Sequence, residues 1–251
     1  MAKRKLKKKA KITILVFILI ILIAILIVVG LIAYDYHKKD SQKLTPITEE
    51  KTYYTLSDFG YVSLKSPKDY NDNGKDDYED FLTAAKRFAS FNPKYKSNYY
   101  NEGYPPVEKE GISTDLIWYS LKEAGYDLKT LVSKDISKNK KRYRYSVSDE
   151  NIDFRKVENL DVFFSRYAKD LTTDSSRVGE FMPGDILIFD YDEFMAIVSD
   201  KYTKDGIPYI ISNRSTTQKK KEENIIEKLP MDITSHYRFE YNNKIEKLIN
   251  S

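Results

Sequence analysis

Pro183-Gly184-Asp185 leads into Ile186-Leu187-Ile188-Phe189, and two more short apolar runs follow, Met195-Ala196-Ile197-Val198 and Pro208-Tyr209-Ile210-Ile211, with turn residues between them. Runs of this length and spacing predict strands of an antiparallel sheet. The chain before them has a different period. Phe81, Leu82, Ala85, Phe88 and Phe91 recur at helical spacing, as do Leu116, Ile117, Leu121 and Ala124 ahead of Gly125, a residue suited to end a helix. Further helices are expected over Leu128 to Ile136 and Val157 to Tyr167. Helices first and strands afterwards predict an α+β domain with the helices packed on one sheet.

Outside that domain the decisive feature is Ile12 to Ala33, 22 consecutive positions without a charge and rich in Ile, Leu and Val. At about 1.5 Å per residue such a helix spans a hydrocarbon core of about 30 Å. A cleaved signal peptide would have a shorter apolar run followed by small residues, so an uncleaved single-pass anchor is expected. Met1 to Lys11 carry seven Lys/Arg, which predicts a cytoplasmic N-terminus and an extracytoplasmic C-terminal part. The expected organisation is a basic tail over 1–11, a transmembrane helix over 12–33, a polar stalk over 34–67 and a folded domain over 68–251. The abundance of Lys, Asn, Ile and Tyr suggests a low-GC bacterium and a Gram-positive surface.

Charge and cysteine content narrow the chemistry. The formal charge of +4 is more than accounted for by the N-terminal tail, leaving the remainder net acidic, so a nucleic-acid partner is not expected. With no cysteine there is no disulfide, no thiolate zinc site and no thiol nucleophile.

The segment Asp69-Tyr70-Asn71-Asp72-Asn73-Gly74-Lys75-Asp76-Asp77-Tyr78-Glu79-Asp80 carries a calcium-loop pattern. Asp69, Asn71, Asn73, Asp77 and Asp80 supply side-chain oxygens and Lys75 a backbone carbonyl, while Gly74 permits the bend that hard, oxygen-seeking Ca²⁺ requires. Asp80 replaces the longer Glu at the last position, and Ser66-Pro67 stands where an EF-hand would have its first helix. A loop-then-helix site of dockerin type fits this better. The alternative is an Asx-rich turn that caps the following helix.

An ordered set of short motifs also resembles a bacterial family. Gly103-Tyr104-Pro105-Pro106, Gly111-Ile112-Ser113-Thr114-Asp115, Gly125-Tyr126-Asp127-Leu128, Asn151-Ile152-Asp153-Phe154-Arg155, Pro183-Gly184-Asp185, Ile197-Val198-Ser199-Asp200 and Ser235-His236-Tyr237-Arg238 stand in the order found in NlpC-like, papain-fold amidase domains. The resemblance implies a papain-like fold and, in active members, a Cys in G-V-C-T-D, a His opening H-I-G-I-V-S-D and a further His before Asn. Here those positions are Ser113, Phe194 and Ser212. A hydroxyl depends on an adjacent general base far more than a thiol does, and Phe194 is none. The other His candidates, His37 and His236, occupy no position matching the base. The resemblance therefore implies a pseudoenzyme that binds peptidoglycan or an envelope protein without cutting it. The alternative is a hydrolase using Ser113 with an unconventional base such as Lys. Ser113 is also a suitable helix N-cap, Asp115 and Trp118 suit structural roles, and Lys219-Lys220-Lys221 suits a solvated loop.

Overall fold

The computed structural model describes residues 16, 18–36, 52–143, 148–228 and 231–251. The chain forms two compact units, Met1–Lys51 and Thr52–Ser251. In the first, helix α1 (Ile18–Tyr36) has a mean hydropathy of 3.0 and is apolar on every face, long and apolar enough to cross a membrane. The expected start of that span at residue 12 and the tail over 1–11 lie outside the described residues, as does His37.

The second unit mixes helices and sheet, as the order of the apolar patterns predicts. Its helices are α2 (Asp77–Phe91), α3 (Ser113–Glu123), α4 (Leu128–Asn139), α5 (Glu150–Asp153), α6 (Val157–Tyr167) and α7 (Asn243–Ile249). Asp76 opens α2 by accepting the Tyr78 and Glu79 amides, and the helix buries Tyr78, Phe81, Ala84, Ala85 and Phe88 along one stripe. Helix α3 buries Leu116, Ile117 and Leu121 and closes through Gly125 at φ 92. That left-handed turn suits glycine twice over, because a Cβ there would stand 3.1 Å from both Asn71 and Tyr70.

The strands are β1 (Lys94–Tyr95), β2 (Glu110–Gly111), β3 (Lys169–Asp170), β4 (Ile186–Phe189), β5 (Phe194–Tyr202), β6 (Pro208–Ile211), β7 (Glu222–Glu223) and β8 (Ile233–Arg238). Strands β1 and β2 form a small parallel pair. The other six form one antiparallel sheet in the order β3-β8-β4-β5-β6-β7. Both faces of its centre are dry, which explains why β4 reads as an unbroken apolar run rather than an alternating one. Ile186, Ile188, Met195, Ile197 and Ile211 join the helices in the main core. The alternate residues Leu187, Phe189, Phe194, Ala196, Val198 and Ile210 form a second cluster with Phe181 and Ile225, on the opposite side of the sheet.

The polar segment expected to be a stalk as far as residue 67 joins the folded unit from Thr52 onward. Tyr54 and Tyr202 exchange backbone hydrogen bonds of 2.8 and 2.7 Å, and Leu56, at the start of a short 3₁₀ helix (Leu56–Phe59), is buried against Met182 and Tyr202. The Ser66 amide also reaches Asp76 and the Tyr209 hydroxyl reaches the Thr52 carbonyl, and none of these contacts produces a helical period. Replacing Leu116, which is fully buried between helices and sheet, by Ala is expected to lower unfolding stability by about 2–5 kcal/mol in denaturant titrations.

Candidate functional site

The N-terminus of α3 is organised by a buried carboxylate. Asp115 Oδ2 accepts the Ile112 amide at 2.7 Å, and Asp115 Oδ1 accepts the Trp118 indole N–H at 2.8 Å. Arg155 closes the set with Nε at 2.7 Å from Oδ1 and Nη2 at 3.0 Å from Oδ2, while its Nη1 donates to the Asn98 carbonyl. The capping residue is therefore Ile112, with Asp115 reaching back to its amide, and Ser113 is the first residue inside the helix rather than its cap. Gly111 leaves room for this arrangement, since a Cβ would lie 3.0 Å from Asp115 Oδ2 and press on the carboxylate.

Ser113 is buried, and its Oγ accepts the Met195 amide of β5 at 3.2 Å. Among the described residues, no Lys, His or carboxylate lies within hydrogen-bond distance of that hydroxyl. Phe194 does not share a cleft with Ser113. Its ring stacks on Phe189 at 4.7 Å and 4° in the second cluster, because neighbouring strand residues point to opposite faces. Ser212 is buried as well, with its hydroxyl accepting a 3.3 Å contact from Gln218. The three positions thus lie on neighbouring elements without forming a constellation of facing side chains.

A different group approaches this helix start. Asn213 Nδ2 donates to the Gly111 carbonyl at 2.9 Å, and Asn213 Oδ1 accepts from Lys221 Nζ at 2.7 Å. Lys221 is 5% exposed, unlike Lys219 and Lys220, so the last lysine of the supposedly solvated run is a buried one. Burial holds its pKa below the usual lysine range. A run of three lysines carries no sequence signal for which of them turns inward.

His236 is wholly buried, and both of its ring nitrogens are engaged. Nδ1 lies 2.6 Å from the Thr172 carbonyl and Nε2 lies 3.0 Å from Asp185 Oδ2. Arg238 grips the same carboxylate through Nε and Nη2, both at 2.7 Å, and Phe181 stacks on the imidazole. Both nitrogens are thus turned to Thr172 and Asp185 and not to Ser113, and the ring ties β8 to the residue that opens β4. The i, i+2 spacing of His236 and Arg238 could have announced a shared partner on one face of a strand.

In the loop over 69–80, Asp69 accepts the Asn73 and Gly74 amides, and Asn71 and Asn73 both donate their side-chain nitrogens to Asp80. The Asn71 and Asn73 side chains thus turn their nitrogens to Asp80, while their oxygens accept the Asn73 and Lys75 amides in the manner of Asx turns. Asp77 is not aimed at them, because its carboxylate accepts the Tyr126 hydroxyl at 2.6 Å and the Tyr70 amide at 2.9 Å. Burial pushes the Asp77 pKa up. The Lys75 side chain turns out to Glu79. Among the described residues, no three His, Asp or Glu side chains are grouped to hold a metal.

Two measurements check these assignments. Arg155→Met strands a buried carboxylate and is expected to cost about 3–5 kcal/mol, whereas Arg87→Met, which breaks the half-exposed pair with Glu123, should cost about 0–1 kcal/mol. For Lys221, the unfolded chain holds a proton that the folded chain more readily releases. Stability should therefore rise as pH increases from the lowered folded pKa towards the ordinary lysine value, and this rise should be absent from Lys221→Met in urea titrations at successive pH values.

Comparison with known proteins replaces the resemblance to NlpC-like, papain-fold amidases. Residues 82–239 match the profile of a domain of unknown function, DUF1287. The chain is also 31% identical over 156 residues to YijF, an uncharacterized protein of Escherichia coli (strain K12), covering 59% of this chain and 73% of that protein. No solved structure matches. Neither finding points to an NlpC-like or papain-like family, and the short motifs that suggested one all fall within the matched residues 82–239. The chain belongs to the DUF1287 family.

Proposed function

We propose that this chain is a single-pass membrane protein whose folded unit faces the outside of a Gram-positive cell and binds peptidoglycan or an envelope protein without hydrolysing it. What carries the non-hydrolytic part of the reading is Ser113. Its hydroxyl is buried and receives the Met195 amide, and no base stands beside it among the described residues. A serine that must be deprotonated to act is then no nucleophile. The apolar helix α1 supports the tether, and the seven Lys/Arg before it support a cytoplasmic N-terminus. Calcium at Asp69, Asn71, Asn73 and Asp80 belongs to the same proposal as an ordering cation, with Asp77 left to its tyrosines.

One observation favours a second reading, hydrolysis through Ser113. The buried amine of Lys221 reaches the Gly111 carbonyl through Asn213, two residues from Ser113, and burial favours the neutral amine that a base requires. The full-length chain in detergent, incubated with cell-wall sacculi with and without Ca²⁺, separates the two. Co-sedimentation without release of soluble fragments is expected. Release that disappears in both Ser113→Ala and Lys221→Met would establish the hydrolase instead.

A further inference from the structure

The hairpin joining β4 to β5 turns through Asp190, Tyr191 and Asp192 at φ 48, 56 and 79. All three lie in the left-handed region, where Asp is tolerated and a bulky aromatic residue is not. Asn or Gly at position 191 would make the same turn without strain. The conformation is enforced from both sides, since Asp190 N donates to the Asp232 carbonyl at 3.0 Å and Asp232 N donates to Asp190 Oδ1 at 2.8 Å. The Tyr191 amide is bound by Thr234 Oγ1. Nothing in the fold recovers the cost, because Tyr191 is 84% exposed and its ring packs on no other aromatic residue among those described. A strained residue with a fully presented side chain and no packing role points to a use outside the fold.

Tyr191 lines a cleft of about 580 Å³, a volume within the range of small-ligand sites. Asp174, Ser175 and Asp232 line it with carboxylates and a hydroxyl, Met231 contributes apolar surface, and among the described residues no Lys or Arg lines it. An anionic ligand finds no partner in such a cleft. A neutral polyhydroxylated ring does, with its C–H face on the tyrosine and its hydroxyls on the carboxylates, since tyrosine joins an apolar face to a polar tip. We infer that Tyr191 and this cleft form a saccharide-binding site, which rests on the wall-binding reading and names the glycan as the bound component.

The test uses the full-length chain in a polyoxyethylene detergent, which carries no sugar headgroup. The probes are the tetramer of β-1,4-linked N-acetylglucosamine, whole sacculi and a lysine-rich peptide. Wild type is expected to bind the tetramer. Tyr191→Asn should weaken it by about tenfold or more while raising the melting temperature, and Tyr191→Trp should retain it. That combination separates a ligand contact from a mere turn residue, for which Tyr191→Asn would raise stability and leave binding intact. Unchanged binding in Tyr191→Asn overturns the inference. So does capture by sacculi without tetramer binding, which leaves the wall reading standing. Tyr191-dependent binding of the peptide but not the tetramer overturns the saccharide class. Tyr191-dependent tetramer binding without capture by sacculi keeps this site and removes the wall reading.

Discussion

Asp115 is a carboxylate with no exposure to water and four donors around it, from Ile112, Trp118 and Arg155. An ionised group so placed is tolerable only if every lone pair facing the protein is met. Meeting them binds three separate pieces of chain. The start of α3, the loop carrying Asn98 and the connection from α5 to α6 are held at one point, and the position of Ser113 against β5 follows from it. The same device recurs at Asp185, which gathers His236, Arg238 and the Met182 amide, and at Asp135, which gathers Tyr143, Tyr167 and Arg166. Each of these three acids stands between elements distant in sequence, and the apolar core is laid down around them.

The long helices and the central strands were legible because periodicity is a local property. Val157–Tyr167 is helical over the span its pattern predicts, and Ile186–Phe189 is a strand. Strand β8 was not legible. Ile233 to Arg238 alternates only weakly, and it gains its place between β3 and β4 through Asp185, whose partners lie about fifty residues away in the chain. The docking of Thr52 to Ser66 was missed for a related reason. Buried Leu56 and the bridge to Tyr202 are among its contacts, and both depend on partners far away in the chain.

The candidate site divides along the same line. Loop residues Asp69, Asn71, Asn73 and Asp80 are joined by hydrogen bonds within one turn, since a twelve-residue loop is a local object. Asp77 does not join them, because Tyr126 competes for its carboxylate from beyond α3. Ser113, Phe194 and Ser212 were grouped by resemblance, and strand alternation parts them. Phe194 faces away from α3, while its neighbour Met195 meets Ser113. The buried amine of Lys221 could not be told from Lys219 and Lys220 without the sheet that covers it.

The six-stranded sheet ends on both sides in two-residue strands, β3 and β7. An edge that short offers few unpaired amides and carbonyls to another chain. Another copy that met the sheet at β3 or β7 would find only a two-residue ladder to extend there. Lengthening either outermost strand by a few apolar residues would add the flat, unpaired margin along which sheets join.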